Sequence, residues 1–359
     1  MSDSETIDHK RSVRFPAEWE SHRGTWLSWP HPEGQSFPGD WTEQVGPELS
    51  ELVAGLIGGE QVWINVRDAA HRNIARSALG DLVDHPALHF VEIPTDEPWC
   101  RDHGPTFVQH DNETGGAVCW VYNAWGGKYP PYDQDARAGS AMAAAVGVQQ
   151  SVSELICEGG AYDSDGRGNL LVSRPCLTSL GRNSECSLAK IETELSQQLG
   201  SNNIWWVEGD LVGDDTDGHV DCLARFVPGD KILYAVPHAE DSANIEGLNA
   251  LRISLESISR QGGFDLVPLP NPAPIFLDGA QLPATYTNFY IANHAVLVPT
   301  FGIEESDARA LEVIGQHFPD RVTLGVRSDT ILWGLGAVHC LTQQIPAFVP
   351  EPTTSLHED

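Results

Sequence analysis

Strand-like hairpins and amphipathic helical stretches alternate along this chain, with about one such unit in every 50 residues. Apolar residues at helical spacing predict six helices, over residues 43–56, 69–82, 134–146, 187–199, 244–259 and 307–317. Apolar and β-branched runs predict strands over residues 61–66, 88–93, 117–122, 169–173, 221–227 and 231–236. This alternation predicts an α/β fold, and its regular spacing favours an architecture of repeated units.

Short turn sequences indicate how neighbouring strands pair. Residues 228–230 read Pro-Gly-Asp, a tight turn that would join two predicted strands into a hairpin. The segment 163–168 predicts a second turn of this kind before the strand that starts at Asn169. Gly147 and Gly200 directly follow predicted helices, at the position where glycine commonly ends a helix.

The chain is long enough to build a large hydrophobic core, because 41% of its 359 residues are hydrophobic. It contains no low-complexity linker and no clear domain boundary. We therefore expect a flexible N-terminus over residues 1–12, a single domain over residues 13–349, and a flexible C-terminal tail over residues 350–359.

Charge and hydropathy restrict the possible partners. The formal net charge is −30, and no basic patch is visible, so nucleic acid is not an expected partner. No apolar run reaches about 18 residues, and the polar N-terminal sequence has no apolar secretion signal, so no membrane association is expected. Seven cysteines lie scattered along the chain, which argues against a disulfide framework and predicts a cytoplasmic protein.

Four short segments are rich in residue types that carry chemistry: EPWCRDHGP at 97–105, ICEGGAY at 156–162, GDDTDGHVDC at 213–222 and GLGAVHCLTQQIP at 334–346. In the third, His219 and Asp221 stand two residues apart at the start of a predicted strand, which would place both side chains on one face. Taken singly, each segment also has a structural interpretation, as a surface turn, a strand end, a hydrogen-bonded pair or an inert buried cysteine.

Together, these segments supply a cysteine, a histidine and several carboxylates. A thiolate is a strong nucleophile, but nearby carboxylates ordinarily oppose its formation. That conflict disappears if the substrate is a guanidinium, because paired carboxylates hold this planar cation by bidentate hydrogen bonds and its charge favours the thiolate. The combination therefore indicates covalent chemistry on a guanidine.

The chain resembles the agmatine deiminases, a peptidyl-arginine deiminase-like family within the guanidine-modifying pentein superfamily. The resemblance spans nearly the whole length and is carried by several motifs in order: EWESHRGTWLSWP (18–30), WCRDHGP (99–105), NAWGGKY (123–129), EGGAYDSDGRGNLLVS (158–173), DDTDGHVD (214–221), YTNFYIAN (286–293) and GLGAVHCLTQQIP (334–346). The implied fold is a five-bladed, pseudo-symmetric α/β propeller of repeated ββαβ units, the pentein fold.

The resemblance also implies roles for single residues. Cys340 would be the catalytic nucleophile, and His219 the general acid and base. Four further residues would hold the substrate: Trp99 beside the alkyl chain, and Asp102, Asp221 and Glu158 around the guanidinium. The implied reaction is hydrolysis of agmatine to N-carbamoylputrescine and ammonia through a covalent thiouronium intermediate, in putrescine biosynthesis. No metal or organic cofactor is implied, and relatives suggest a homo-oligomer.

Three alternatives remain open at this point. Leu335 and Ala337 replace residues that the family usually has before the His-Cys pair, so another guanidine, such as peptidyl- or free arginine, is a possible substrate. A metal-dependent hydrolase is an alternative of another class, with zinc held by His219, Asp221, His339 and Cys340. The third alternative is a guanidine-binding protein without catalytic activity.

Overall fold

The computed structural model describes residues 13–111 and 113–352. Its strands are β1 Val13–Arg14, β2 His22–Ser28, β3 Gln61–Val66, β4 Leu88–Glu92, β5 Thr106–His110, β6 Gly115–Val121, β7 Gln149–Ile156, β8 Tyr162–Ser164, β9 Asn169–Ser173, β10 Asn203–Val207, β11 Ala224–Val227, β12 Lys231–Val236, β13 Asp265–Pro270, β14 Phe276–Leu277, β15 Ala280–Gln281, β16 Tyr290–Ile291, β17 Ala295–Thr300, β18 Val322–Arg327 and β19 Thr342–Pro346. Its helices are α1 Trp41–Ile57, α2 Ala69–Leu79, α3 Cys100–His103, α4 Ala124–Gly127, α5 Asp135–Ala145, α6 Arg174–Leu177, α7 Leu188–Leu199, α8 Ile245–Gly262, α9 Glu304–Gly315 and α10 Val338–Leu341.

Five sheets share one order of pairing. In four of them, two successive strands pair antiparallel, a helix follows, and the next strand joins the second in parallel: β5–β6–β7 with α5, β8–β9–β10 with α7, β11–β12–β13 with α8, and β16–β17–β18 with α9. The fifth sheet combines distant parts of the chain, because β19, near the C-terminus, pairs antiparallel with β2. Helix α1 follows β2, and β3 then pairs with β2 in parallel. The predicted α/β class is confirmed.

The remaining strands extend this arrangement. β4 joins the sheet of β3 in parallel, and β1 pairs antiparallel with β5. β14 and β15 form a separate two-stranded hairpin. Within the described residues, no helix is long and apolar enough to cross a membrane. The predicted flexible ends lie outside the described residues, except for residues 350–352.

All six predicted helices are present, with ends that differ from the expected ones by at most three residues. The α1 helix shows why the pattern was informative, because Val45, Leu49, Leu52, Val53 and Leu56 are all buried on one face. They pack in one cluster with apolar residues of the neighbouring sheet.

The turn sequences also predicted local structure correctly. The 228–230 turn joins β11 to β12, with Gly229 and Asp230 at φ 89° and 56°. Gly200 ends α7 in the left-handed conformation, which glycine adopts without steric cost. All seven cysteines have free thiols, as expected from their spacing.

One predicted strand is wrong at its start. β11 begins at Ala224, and Asp221 lies in a 3₁₀ turn over Val220–Cys222 that follows His219. Leu223 ends this turn in a helical conformation, so the extended backbone cannot continue back to His219. The two side chains therefore do not share a strand face, although both are fully buried.

Candidate active site

Five short segments, each lying before the first strand of one of the five sheets, meet in the interior of the molecule. They contribute Asp102 in α3, Glu158 before β8, Asp221 before β11, Asn288 before β16, and Cys340 in α10. Every one of these side chains is at least nine-tenths buried. The structure thus brings together four residues predicted from the sequence and adds a fifth, Asn288.

The Cys340 thiol is held by Asn288. Nδ2 of Asn288 donates a hydrogen bond to the sulfur over 3.1 Å. Oδ1 of the same side chain accepts hydrogen bonds from the backbone N–H groups of His339 and Cys340, at 3.0 and 3.3 Å. One amide therefore fixes the start of α10 and directs a hydrogen-bond donor at the sulfur.

Asp221 lies 3.7 Å from the Cys340 sulfur through its Oδ2 atom. That oxygen accepts a hydrogen bond from Nδ1 of His339 over 2.6 Å, and Nε2 of His339 donates to Glu18 over 2.8 Å. Burial opposes ionisation of Asp221, but the hydrogen bond and charge of His339, together with the charges of His219 and Arg225, outweigh it and lower the pKa of Asp221 to about 2. Its other oxygen, Oδ1, is buried and has no partner among the described residues.

His219 lies between two carboxylates. Its Nδ1 is 3.7 Å from Asp102, and its Nε2 is 3.7 Å from Glu158. These distances are too long for direct hydrogen bonds, but both negative charges act on a ring that is fully buried. Burial opposes the charged form, but Asp102, Cys176 and Glu158 together outweigh it, so the pKa of His219 is raised well above its usual value. His219 is therefore positioned as a proton donor.

Asp102 receives two hydrogen bonds that fix its carboxylate. Oδ1 accepts from the backbone N–H of Gly160 at 3.1 Å, and Oδ2 accepts from Nε1 of Trp125 at 3.0 Å. Burial raises the pKa of Asp102 to about 6, and the charges of Asp221 and Glu158 act in the same direction. This carboxylate is thus the acid of the cluster that is closest to neutralisation near neutral pH.

Glu158 contacts the far side of His219. Its Oε1 accepts a 2.8 Å hydrogen bond from Nε of Arg182, and the Cys176 thiol lies 3.7 Å from its Oε2. Burial opposes ionisation, but His219 and Arg182 lower the pKa of Glu158 below its usual value. Glu158 is therefore an ionised partner of His219.

Gly160 leaves no room for a side chain at the centre of this cluster. A Cβ atom there would lie 2.4 Å from Nδ1 of His219, and 3.0 and 3.1 Å from carboxylate oxygens of Asp102 and Asp221. At Gly159, a Cβ would lie 2.2 Å from the carbonyl oxygen of Arg101. Close backbone approach thus explains both glycines of the Glu-Gly-Gly motif.

A cavity of about 110 Å³ opens onto this cluster. Three of the six predicted site residues line it, namely Trp99, Asp102 and Cys340. His219 lies beside Asp102, Asp221 lies beside Cys340, and Glu158 lies beside His219, but none of the three is among the lining residues. The rest of the wall comprises Gln35, Ser36, Trp41, Trp125, Tyr129, Asp215, Thr216, Cys222, Trp333, Gly334, Leu335 and Gly336.

Trp99 forms a flat wall against which the loop before Cys340 packs. Cβ atoms on Gly334 and Gly336 would lie 2.7 and 2.4 Å from its ring. Between the two glycines, Leu335 lines the cavity in the left-handed conformation, with φ 67°. A non-glycine residue with this backbone is strained, and such residues cluster at functional sites.

The outer part of the cavity carries a second acidic group. Asp215 is partly exposed, and its carboxylate accepts a hydrogen bond from the Tyr129 hydroxyl. Burial raises the pKa of Asp215 above its usual value. None of the described residues that line the cavity is Lys, Arg or His, so both charged side chains facing it are carboxylates.

The residues of the metal-site alternative do not form one group. In the described part of the chain, possible ligand atoms cluster as Asp221, Cys222 and Cys340, and separately as Glu158, Cys176 and His219. His339 is instead engaged by carboxylates through both of its ring nitrogens.

Several residues at the site were not identified from the sequence: Glu18, Trp125, Arg182, Asp215 and Asn288. Trp125 and the preceding Ala124 have φ 54° and 52°, a backbone conformation that apolar side chains rarely adopt. Four of the five lie within the sequence motifs given above, but Arg182 lies outside them. Sequence spacing gave no sign that any of them contacts this cluster.

Known proteins resemble this chain over nearly its whole length. Residues 14–346 match the family model of the Porphyromonas-type peptidyl-arginine deiminases. A Selenomonas ruminantium protein named "Putative agmatine deiminase" is 34% identical, with 93% of this chain and 95% of that protein covered.

Solved structures extend the comparison to the fold. A cysteine-to-serine variant of the C. jejuni agmatine deiminase with substrate bound superposes with a TM-score of 0.85 at 26% identity, covering 93% of this chain and 96% of that chain. The Enterococcus faecalis agmatine deiminase gives a TM-score of 0.84 at 27% identity, with 94% and 97% covered. A dimethylarginine dimethylaminohydrolase, at 10% identity and a TM-score of 0.51 over 90% of this chain and 100% of that chain, shares the fold alone.

The α/β fold is therefore the pentein fold. With a family model that matches almost the full length and a relative that is one-third identical over nearly the whole chain, the protein belongs to the Porphyromonas-type peptidyl-arginine deiminase family.

Proposed function

We propose that this protein is an agmatine deiminase, which hydrolyses the guanidinium group of agmatine to give N-carbamoylputrescine and ammonia in putrescine biosynthesis. The observation that carries the proposal is a cavity lined by the buried Cys340 thiol and Asp102 carboxylate and by a second, partly exposed carboxylate, that of Asp215. Agmatine has a cation at each end, and each would meet an acid. The names of the relatives described above record agmatine deiminases, which supports the same substrate.

The guanidinium is proposed to bind between Asp102 and Asp221. The free, buried Oδ1 of Asp221 offers an acceptor that the protein itself does not use among its described residues. The face of Trp99 lines the same cavity and would contact the alkyl chain. A carboxylate near the substrate tail, as in free arginine, would face Asp215 with no basic side chain in the described lining to offset the repulsion.

The proposed reaction begins with attack of the Cys340 thiolate on the central guanidinium carbon. The charge of the bound substrate and the Asn288 hydrogen bond both favour the thiolate. The carbon becomes tetrahedral, and its C–N bond to one terminal nitrogen then breaks. His219 gives its proton to that nitrogen, which leaves as ammonia, and an S-alkylthiouronium remains on Cys340.

Water completes the reaction. The neutral His219 accepts a proton from water as its oxygen attacks the thiouronium carbon, which again becomes tetrahedral. The C–S bond breaks, the electron pair returns to the Cys340 sulfur, the remaining hydroxyl proton passes to solvent as the carbonyl forms, and the neutral ureido product leaves. Glu158, which lies 3.7 Å from Nε2 of His219, would stabilise the imidazolium at both stages.

We further propose that the five sheets are blades of a pseudo-symmetric propeller within one catalytic domain over residues 13–349. The contribution of one central residue before each sheet supports this arrangement. A cytoplasmic location and assembly into a homo-oligomer are proposed from the family resemblance.

Mass spectrometry of the acid-quenched enzyme after mixing with agmatine tests the chemistry. A mass increase on the peptide that contains Cys340 is expected, and its absence under conditions of steady turnover would contradict the covalent route. Cys340→Ser is the matched control and should neither gain mass nor release ammonia. Activity that survives EDTA and is abolished by iodoacetamide would argue against the metal-dependent alternative.

Comparison of substrates tests the identity of the guanidine. Ammonia release is expected from agmatine well above that from free arginine or an arginyl peptide. Asp215→Asn should raise KM for agmatine with a smaller effect on kcat, because only binding of the tail is altered. Faster turnover of the arginyl peptide than of agmatine would favour the alternative substrate class.

A further inference from the structure

A second thiol lies beside the proposed nucleophile. Cys222 directly follows Asp221 in the chain, and it lines the same cavity as Cys340. The two sulfurs and an Asp221 oxygen all lie within 4.8 Å of one another, with Oδ2 of Asp221 at 3.7 Å from the Cys340 sulfur. Deimination as proposed above requires one thiol, so Cys222 has no part in it.

These separations suit the ligand shell of a soft divalent cation. Zinc binds sulfur at about 2.3 Å and carboxylate oxygen at about 2.0–2.2 Å, and a tetrahedral shell therefore separates its ligand atoms by about 3.5–3.8 Å. The Asp221–Cys340 distance falls within that range. Two thiolates in one shell select zinc or copper(I) over hard cations such as magnesium.

The surroundings of the two sulfurs fit the same interpretation. Nδ2 of Asn288 lies 3.4 Å from the Cys222 sulfur and 3.1 Å from the Cys340 sulfur. N–H donors of this kind stabilise and orient metal-bound ligands from outside the shell. Oδ2 of Asp221 is likewise held in place by the 2.6 Å hydrogen bond with His339. The cavity gives solvent and ions access to both thiols.

We propose that Cys222, Cys340 and Asp221 form a binding site for a thiophilic cation, of which Zn²⁺ is the representative, and that its binding reversibly blocks the enzyme. Two sulfur–metal bonds and one oxygen–metal bond form, and the thiol protons pass to solvent; no redox change occurs. Water from the cavity completes the shell. The bound cation withholds both the nucleophile and a guanidinium-binding carboxylate, so it competes with agmatine. The blocking of activity rests on the proposed function, but the binding of metal does not.

The other possible ligand group, Glu158, Cys176 and His219, is a weaker candidate. It offers one thiol, its Glu158 carboxylate is already engaged by Arg182, and none of its members lines the cavity. This second group supplies a useful control, because Cys176→Ser removes the group's only thiol and leaves Cys222 and Cys340 in place.

Cobalt(II) is the probe for binding, because it occupies zinc sites and reports thiolate ligands by a charge-transfer absorption band. The full chain, stripped with EDTA and dialysed, is titrated with CoCl₂ and then with ZnCl₂, without substrate. We expect one cobalt per chain with a thiolate band, displaced by one equivalent of zinc. The band should weaken strongly in both Cys222→Ser and Cys222→Ala, whose folding is checked by circular dichroism, and persist in Cys176→Ser.

Inhibition is measured separately, with each variant compared to its own metal-free rate of ammonia release. Zinc should inhibit the wild type competitively with agmatine, and the inhibition constant should rise at least about 100-fold in Cys222→Ser. The absence of a cobalt band in the wild type, or a band that is lost in Cys176→Ser but kept in Cys222→Ser, would overturn the site. A normal band in a chain that deiminates no guanidine would instead refute the proposed function and leave the metal site standing.

Discussion

His339 engages only one of the two carboxylate oxygens of Asp221. Nδ1 of His339 binds Oδ2 at 2.6 Å, whereas Oδ1 is buried without a partner in the described chain. His339 is held in turn by Glu18, which also accepts hydrogen bonds or ion pairs from Arg101 and Arg225. One oxygen is therefore fixed by a buried network of hydrogen bonds and ion pairs, and the other is the oxygen that we propose binds the substrate.

Replacement of His339 should disrupt the hydrogen bonds that link Asp221 to Glu18. In His339→Gln, the buried Glu18 and Asp221 lose their shared hydrogen-bond partner, so the free energy of unfolding should fall by about 3 kcal/mol. The pKa of Asp221 should rise from about 2, because the His339 hydrogen bond is the largest of the interactions that lower it. Chemical denaturation and the pH dependence of kcat/KM measure the two effects. The control is His317→Gln, a change at a half-buried histidine outside this network, and equal stability of the two variants would contradict the network.

Gly160→Ala tests the close packing at the centre of the site. The new methyl group would lie 2.4 Å from Nδ1 of His219, so the ring or Asp102 must move. A shift of about 1 Å in a catalytic group can cost about 100-fold in rate, and we expect kcat/KM to fall by at least that factor.

Gly263→Ala is the matched control for Gly160→Ala. Gly263 ends α8 at φ 76°, and a methyl group added there would meet no described atom within 4 Å. Alanine at this position should therefore cost about 1 kcal/mol of stability and leave kcat/KM unchanged. Wild-type activity in Gly160→Ala would show that His219 has no fixed position during catalysis.

The helices and strands could be predicted from the sequence wherever local residue patterns determine the structure. The helical spacing of Val45, Leu49 and Leu52 reflects burial of one face of α1. Strand pairing between distant segments could not be predicted, because no feature of the neighbouring sequence indicates that β19 pairs with β2. The start of β11 was misplaced since an apolar-polar alternation continues across Asp221, although the backbone turns there.

The residues of the site likewise fall into those that local sequence could indicate and those that depend on contacts between distant segments. Cys340, Asp102 and Asp221 stand in short motifs whose residue types carry chemistry, so sequence could nominate them. Asn288 lies in an ordinary apolar and polar run before β16, and its role arises only when the amide meets α10. Its contribution depends on tertiary contact across 52 positions of the chain, which a single sequence does not display.

Binding of a guanidinium should depend on the ionisation of Asp102. Its pKa is raised to about 6, so the carboxyl becomes neutral as pH falls through that value, while Asp221, with a pKa of about 2, stays charged. The affinity of Cys340→Ser for agmatine should therefore fall about tenfold per unit below pH ~6. Isothermal titration calorimetry at several pH values measures this slope and the proton released on binding.

The control for this pH dependence is Cys340→Ser combined with Asp102→Asn. The added substitution removes the titrating group, so binding should be weaker than in Cys340→Ser and nearly independent of pH in the same range. A slope that survives in the double variant would assign the titration to another group.

Asn288→Ala should slow reactions of the Cys340 sulfur. The substitution removes the 3.1 Å donor to the sulfur, and hydrogen bonds to a charged group contribute about 1.5–3 kcal/mol. Alkylation of Cys340 by iodoacetamide at fixed pH should fall at least about tenfold, and kcat should fall more than KM changes. Mass spectrometry of the Cys340 peptide gives the alkylation rate.

Asn271→Ala is the matched control for Asn288→Ala. It also truncates a buried asparagine, whose Oδ1 accepts a hydrogen bond from Thr285, but that residue does not contact either sulfur. An equal loss of alkylation rate in both variants would indicate a general loss of packing rather than a contact with the thiolate.

Leu335 is expected to set which substrate tails fit. It occupies the cavity wall with φ 67° between two glycines that pack on Trp99. Leu335→Gly suits this backbone better and removes a branched side chain from the wall, so bulkier guanidines should gain access while agmatine loses contact. The ratio of kcat/KM for agmatine to that for an arginyl peptide should drop about tenfold. Leu335→Asn keeps a side chain of similar length and tolerates left-handed backbone, so it should retain more of the ratio; an unchanged ratio in the glycine variant would mean that the tail never reaches this wall.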